Sequence, residues 1–131
     1  MSPGRAALLT AAVAIGALPA TGATSPLSGR DMFVTYCASC HGTDAKGGGP
    51  VAAALKARPA DLTTLSARNG GRFPETRVYG TIRGDVRVTS HGTSEMPVWG
   101  RVFEHVGQGD TAEVQMRISN LVAWIRSIQV K

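Results

Sequence analysis

The sequence predicts an all-α protein, with about four short helices separated by long loops. The clearest evidence is an uninterrupted apolar stripe near the C-terminus, whose members recur with the period of a helix. Two residues that favour helix starts, Ser28 and Asp110, are each followed three positions later by an acidic residue, Asp31 and Glu113. The sequence shows no convincing alternation of apolar and polar residues, as a half-buried strand would need, and no internal repeat.

The last helix is predicted to begin after Asp110. Its apolar stripe comprises Val114, Ile118, Leu121, Val122, Ile125 and Ile128. Met116 lies roughly 200° around the helix from this stripe, so it is expected to face solvent. Trp124 flanks the stripe.

The first helix is predicted to begin after Ser28 and to carry the cysteines. One face of this helix holds a small residue, two aromatic residues and both thiols, namely Gly29, Phe33, Tyr36, Cys37 and Cys40. A glycine-rich loop follows over residues 42–50, and a short helix is predicted over 51–56. Another helix is predicted from Pro74 to Ile82, followed by an irregular connection over residues 84–95.

Residues 1–23 have the pattern of a secretory signal peptide, which leaves residues 24–131 as one domain. Residues 1–5 are short and basic, residues 6–18 are an uncharged apolar run of 13, and residues 21–23 are small enough for cleavage. A helix needs roughly 20 residues to cross a bilayer, so this run is too short. The sequence therefore predicts export. A retained N-terminal anchor is the alternative, and membrane association is expected only in that case.

The charge of the chain narrows the class of partner. Without residues 1–23 the chain keeps 13 Lys and Arg against 9 Asp and Glu, a formal charge of +4. These charges are scattered along the sequence, whereas proteins that bind nucleic acid usually concentrate them in a basic stripe. The mild positive net charge favours partner proteins with acidic docking surfaces, and the scatter of the charges argues against nucleic acid as a partner.

The segment Cys37-Ala38-Ser39-Cys40-His41 has the C-x-x-C-H spacing by which c-type haem is attached. In that chemistry the two thiols add across the porphyrin vinyl groups as thioethers, and the adjacent His binds the iron through Nε2. The chain has seven aromatic residues and 16 glycines, a poor composition for an apolar core, and a buried porphyrin would add apolar bulk. We therefore expect one covalent haem c on Cys37 and Cys40, with His41 as a metal ligand.

Met96 is the predicted sixth ligand of that iron. Pro97 disfavours a helical conformation at Met96, so the thioether is presented from an extended loop. The paired donors His and Met raise the reduction potential of the iron.

The other donors are less suitable. Met1 leaves with the signal segment, Met32 lies one turn before the cysteines on the helix that leads to the proximal side, and Met116 is expected to face solvent. His91 and His105 remain as alternatives that would give bis-His ligation.

Several segments together resemble class I monohaem cytochromes c of bacteria. They are residues 36–42, 47–50, 59–62, 96–100 and 121–125, and the likeness spans about residues 28–129. The resemblance implies the cytochrome c fold, in which short helices and long loops wrap one covalent haem. It also implies that the backbone carbonyl of Pro59 accepts the second N–H of the proximal imidazole. The first and last helices would then cross each other, with Gly29 and Phe33 packed against Trp124.

The loop over residues 83–95 departs from the family because it is polar and charged. Short members of the family have few residues in this place before the methionine ligand. Arg83 or Arg87 would meet a haem propionate, or both are solvated charges. Neither is counted as a site residue.

The resemblance implies a soluble periplasmic electron carrier that works with redox partner proteins and is not itself an enzyme. One alternative is the cytochrome c subunit of a periplasmic dehydrogenase or oxidase, and another is a haem sensor or enzyme whose sixth position opens. If haem is absent, Cys37, Cys40 and His41 would suggest a zinc site or a thiol-exchange pair. The sequence lacks the second half of a structural zinc site and the βαβ setting of a thioredoxin-like motif.

Overall fold

The computed structural model describes residues 28–86 and 96–130, and these residues form five α-helices and no strand. The helices are α1 (Gly29–Tyr36), α2 (Ala38–His41), α3 (Glu75–Arg83), α4 (Trp99–Val106) and α5 (Thr111–Ser127). Single turns of 3-10 helix at Ala52–Ala54, Leu62–Thr64 and Ala67–Asn69 interrupt the connection between α2 and α3. The all-α prediction is confirmed for the described residues. The predicted signal peptide, residues 1–23, lies outside them.

Both predicted helix caps are confirmed. The Ser28 hydroxyl accepts a hydrogen bond from the Asp31 amide at 3.2 Å and donates one to the Asp31 carboxylate at 2.6 Å. The Asp110 carboxylate accepts hydrogen bonds from the amides of Ala112 at 2.8 Å and Glu113 at 3.2 Å. These contacts satisfy amides that the first turn of a helix leaves without a partner.

The predicted stripe of α5 forms much of the core. Its first five members are 7% exposed or less, and Ile128 is half-buried just beyond the end of the helix. Met116 is 40% exposed, which confirms that it faces solvent.

The first and last described helices pack against each other. The rings of Phe33 in α1 and Trp124 in α5 have centroids 4.4 Å apart. Gly29 lies against the backbone of Asn120, and a Cβ added there would come within 2.8 Å of Trp124 Cβ. The close approach of α1 and α5 therefore depends on the missing side chain at residue 29.

The middle of the chain differs from prediction in three places. The first helix breaks at Cys37, so Cys40 and His41 lie on the separate short helix α2. The helix expected over residues 51–56 is only a 3-10 turn, whereas the helix expected after Pro74 is present as α3. Helix α4 was not predicted.

Helix α4 packs its aromatic side chains on α1. Trp99 and Phe103 both contact the ring of Tyr36, with centroid distances of 5.7 and 5.4 Å. Gly100 approaches the backbone of Arg83, so α4 also lies close to the end of α3. None of the described helices is both long and apolar enough to cross a bilayer.

Candidate functional site

All five site residues predicted from the sequence line one cavity. The cavity has a volume of about 1370 Å³ and lies between α1, α2, α3, the start of α4 and α5. The residues that reach it are Cys37, Cys40, His41, Pro59 and Met96. Much of the rest of the wall is apolar, with Phe33, Leu62, Leu65, Ile82 and Ile125 among its residues.

The turn between α1 and α2 presents the thiols and the imidazole. The Cys37 amide donates to the Phe33 carbonyl at 2.9 Å, which closes the last turn of α1. The Cys37 carbonyl then accepts from the amides of Cys40 at 3.2 Å and His41 at 2.9 Å, which starts α2. Both thiols and the ring therefore stand on a well hydrogen-bonded backbone.

Burial keeps the Cys37 thiol protonated. Desolvation raises the pKa of Cys37 from its ordinary value of 9.0 to about 12, and the neighbouring Cys40 contributes in the same direction. Thiols that act in exchange reactions have pKa values lowered to about 3.5–7.5. The pKa of Cys37 is thus shifted in the opposite direction from the pKa of a thiol in a thiol-exchange site.

His41 donates its ring proton on Nδ1 to the backbone, which leaves the lone pair of the neutral ring on Nε2. Its Nδ1 lies 3.1 Å from the Ala60 carbonyl oxygen, which can only accept, so Nδ1 carries the hydrogen. Burial lowers the pKa of His41, and the hydrogen bond to Ala60 partly opposes this. The ring is therefore held in the neutral form, with the Nε2 lone pair available to a metal.

This contact corrects the role expected of Pro59. The resemblance implied that the Pro59 carbonyl would accept the imidazole N–H, but the acceptor is the carbonyl of the next residue, Ala60. The Pro59 carbonyl instead faces Gly47, where no Cβ would fit beside it. Pro59 is nevertheless one of the residues that line the cavity.

Met96 is placed as predicted in a non-helical stretch, three residues before α4 begins. Of the methionines that the structure describes, Met96 alone lines the cavity. Met32 is fully buried in the core, and His105 is exposed away from the cavity wall. His91 and Arg87 lie outside the described residues.

Comparisons of the chain with models of protein families, with curated proteins and with solved structures find no match.

The charged residues of the cavity wall are mainly basic. Among residues 28–86 and 96–130, five arginines and two acidic residues reach the cavity; they are Arg58, Arg68, Arg77, Arg83 and Arg101, and Asp85 and Glu104. Arg83 and Asp85 form an exposed ion pair at 3.5 Å. Arg68 donates to the backbone carbonyls of Asp61 and Thr64, which ties its side chain to the wall. The excess of arginines over acidic residues in the cavity wall suits a ligand that carries carboxylates.

Sequence reasoning missed two contributors to this site. One is the Ala60 carbonyl, for which a side chain gives no signal. The other is α4, whose Trp99 and Gly100 line the cavity. Its apolar residues Trp99, Val102, Phe103 and Val106 have helical spacing, so this signal was present in the sequence.

The raised pKa of Cys37 predicts slow alkylation. In the folded chain without haem, iodoacetamide at about pH 8 is expected to modify Cys37 about a thousandfold more slowly than in urea, because about a thousandfold less thiolate is present. The rate should keep rising with pH up to about 12, whereas an ordinary thiol levels off above 9.0. Mass spectrometry of the labelled peptide gives both rates. A plateau near 9.0 in the folded chain would contradict the burial of this thiol.

Proposed function

We propose that this chain is an exported c-type cytochrome that carries electrons in the periplasm through one covalent haem. Cys37 and Cys40 would hold the porphyrin as thioethers, with His41 and Met96 as the axial ligands of the iron. The observation that carries the proposal is convergence: Met96 lies far from the C-x-x-C-H segment in sequence, yet it lines the same cavity. The cytochrome c fold is part of this proposal.

The cavity fits the group on three counts. Its volume of about 1370 Å³ exceeds the range of about 300–1,000 Å³ common for small-molecule pockets. Its wall is largely apolar, and its arginines suit the two propionates of a haem. A neutral imidazole with Nε2 free and a thioether are both established haem ligands.

The protein residues have distinct parts in this function. Haem iron supplies one-electron exchange between Fe(II) and Fe(III). The Ala60 carbonyl orients the His41 ring and raises its basicity through the Nδ1 hydrogen bond. Apolar residues of the cavity wall exclude water, and the Met96 thioether favours the reduced state. Scattered basic residues would steer weak, salt-sensitive encounters with acidic partner proteins.

The zinc and thiol-exchange hypotheses have less support. Among residues 28–86 and 96–130, no three His, Cys, Asp or Glu side chains are grouped so that they could hold a metal ion. The thiol at Cys37 has a raised pKa, which disfavours exchange.

Spectroscopy of the purified, exported chain tests the proposal. We expect a pyridine haemochrome of the c type, a haem that stays with the polypeptide after acid-acetone extraction, and a reduced-minus-oxidised difference spectrum. We also expect the mass of the polypeptide to show cleavage after Ala23, and neither cysteine to react with iodoacetamide. A colourless exported protein with two free thiols would refute the proposal.

A further inference from the structure

Gln129, two residues beyond α5, anchors a distant segment of the cavity wall. Its side-chain oxygen accepts a hydrogen bond from the Ser66 amide at 2.8 Å. Its side-chain nitrogen donates to the carbonyls of Leu62 at 2.7 Å and Ile125 at 2.8 Å. Both donors and the acceptor of this half-buried amide are thus used on backbone groups.

The same segment is held at further points. The Val130 amide donates to the Thr63 carbonyl at 2.9 Å, so the C-terminal residues lie along the 3-10 turn Leu62–Thr64. Asp61 caps this turn, because its carboxylate accepts from the Thr63 amide at 2.8 Å and from the Thr63 hydroxyl at 2.6 Å.

Leu62 connects this anchor to the loop that follows the haem motif. The Leu62 amide donates to the Ala45 carbonyl at 2.8 Å, while the Leu62 carbonyl accepts from Gln129. Both backbone groups of Leu62 are therefore fixed, two residues after the carbonyl of Ala60 that accepts the His41 proton. Leu62 and Leu65 themselves line the cavity.

We propose that Gln129 is a positioning residue for the proximal histidine. It holds Leu62 in place from the C-terminal side, and Leu62 in turn fixes the direction of the Ala60 carbonyl on His41 Nδ1. This inference rests on the proposed haem function for its electronic effect. The hydrogen bond to a ligating His raises the basicity of the ring, so a looser Ala60 contact should disfavour Fe(III).

The test compares Gln129→Ala and Gln129→Glu with Gln115→Ala in the haem-loaded full chain. Gln129→Glu keeps the acceptor for the Ser66 amide and loses the donors to Leu62 and Ile125, and it serves if the alanine variant fails to fold. Gln115 lies exposed on α5, so Gln115→Ala is the matched control. We expect Gln129→Ala to raise the midpoint potential, whereas in Gln129→Glu the added negative charge acts in the opposite direction, so that variant is assessed by proton exchange. In both Gln129 variants, exchange of the His41 Nδ1 proton in the reduced protein should become about tenfold faster, because the single hydrogen bond from this proton to the Ala60 carbonyl is weakened.

Two failures are distinguishable in this experiment. If the wild-type chain holds no haem, the proposed function is wrong. If the wild-type chain holds haem but Gln129→Ala keeps its midpoint potential and both Gln129 variants keep its Nδ1 exchange rate, the inference is wrong and the proposed function stands. A midpoint that shifts equally in Gln115→Ala would also overturn the inference, because the effect would not be specific to Gln129.

Discussion

Replacing Met96 with alanine is expected to leave the haem covalently attached, to lower the midpoint potential and to let carbon monoxide bind the reduced protein at neutral pH. The thioether is the donor that raises the potential of a His-ligated iron, so its removal favours Fe(III). In the proposed site Met96 would also occupy the sixth position of the iron, and a Met-ligated carrier resists carbon monoxide. The ferric spectrum, a redox titration and a carbon monoxide difference spectrum measure these changes.

Met116→Ala is the matched control for this variant. Met116 is 40% exposed on α5 and does not line the cavity, so its removal should change none of the three measurements. An unchanged ferric spectrum and midpoint in Met96→Ala would rule out Met96 as the ligand. His91 and His105 would then be the next candidates, to be tested by the same spectra.

Gly29→Ala is expected to destabilise the fold by about 1–3 kcal/mol, the usual cost of forcing an extra carbon into a packed contact. The new Cβ would lie 2.7 Å from the Asn120 carbonyl carbon and 2.8 Å from Trp124 Cβ. Neither atom can move by a side-chain rotation, because one belongs to the backbone and the other is a Cβ attached directly to it. Helix α1 must therefore move away from α5. Urea unfolding followed by circular dichroism measures the change in the free energy of unfolding.

Gly48→Ala provides the comparison for this substitution. Apart from Gly48 itself and its two chain neighbours, no residue has an atom within 4 Å of a Cβ built at Gly48, so the same change there should be neutral or slightly stabilising. If the two variants unfold at the same urea concentration, the tight crossing of α1 and α5 is contradicted.

The parts of the fold that the sequence predicts are those encoded locally. Ser28 and Asp110 mark helix starts through their own hydrogen bonds, and the stripe of α5 repeats for four turns without interruption. Helix α4 carries a shorter pattern between Pro97 and Gly107, and it is stabilised by packing of Trp99 on Tyr36. Such a helix depends on tertiary contacts that local propensity does not reveal.

In the site, too, the residues of local motifs could be predicted from the sequence, whereas contacts between distant segments could not. The thiols and His41 form one short motif, and Met96 stands out because a proline follows it, so all four could be found in the sequence. The contact with Ala60 lies one residue from the expected Pro59, because only the folded path of the backbone decides which carbonyl faces the ring. The role of Gln129 has no sequence signal either, since the Ser66 amide and the Leu62 carbonyl that it binds are backbone groups more than 60 residues away.

The contact between Phe33 and Trp124 has a consequence for the order of events in the cell. These rings are about ninety residues apart, so they meet only when nearly the whole chain has been synthesised, and closing so long a loop slows folding. Until then the segment with both sulfurs stays accessible on an open polypeptide. If the chain is exported and receives haem as proposed, the enzymes that translocate it and attach the haem would therefore act before its two ends come together.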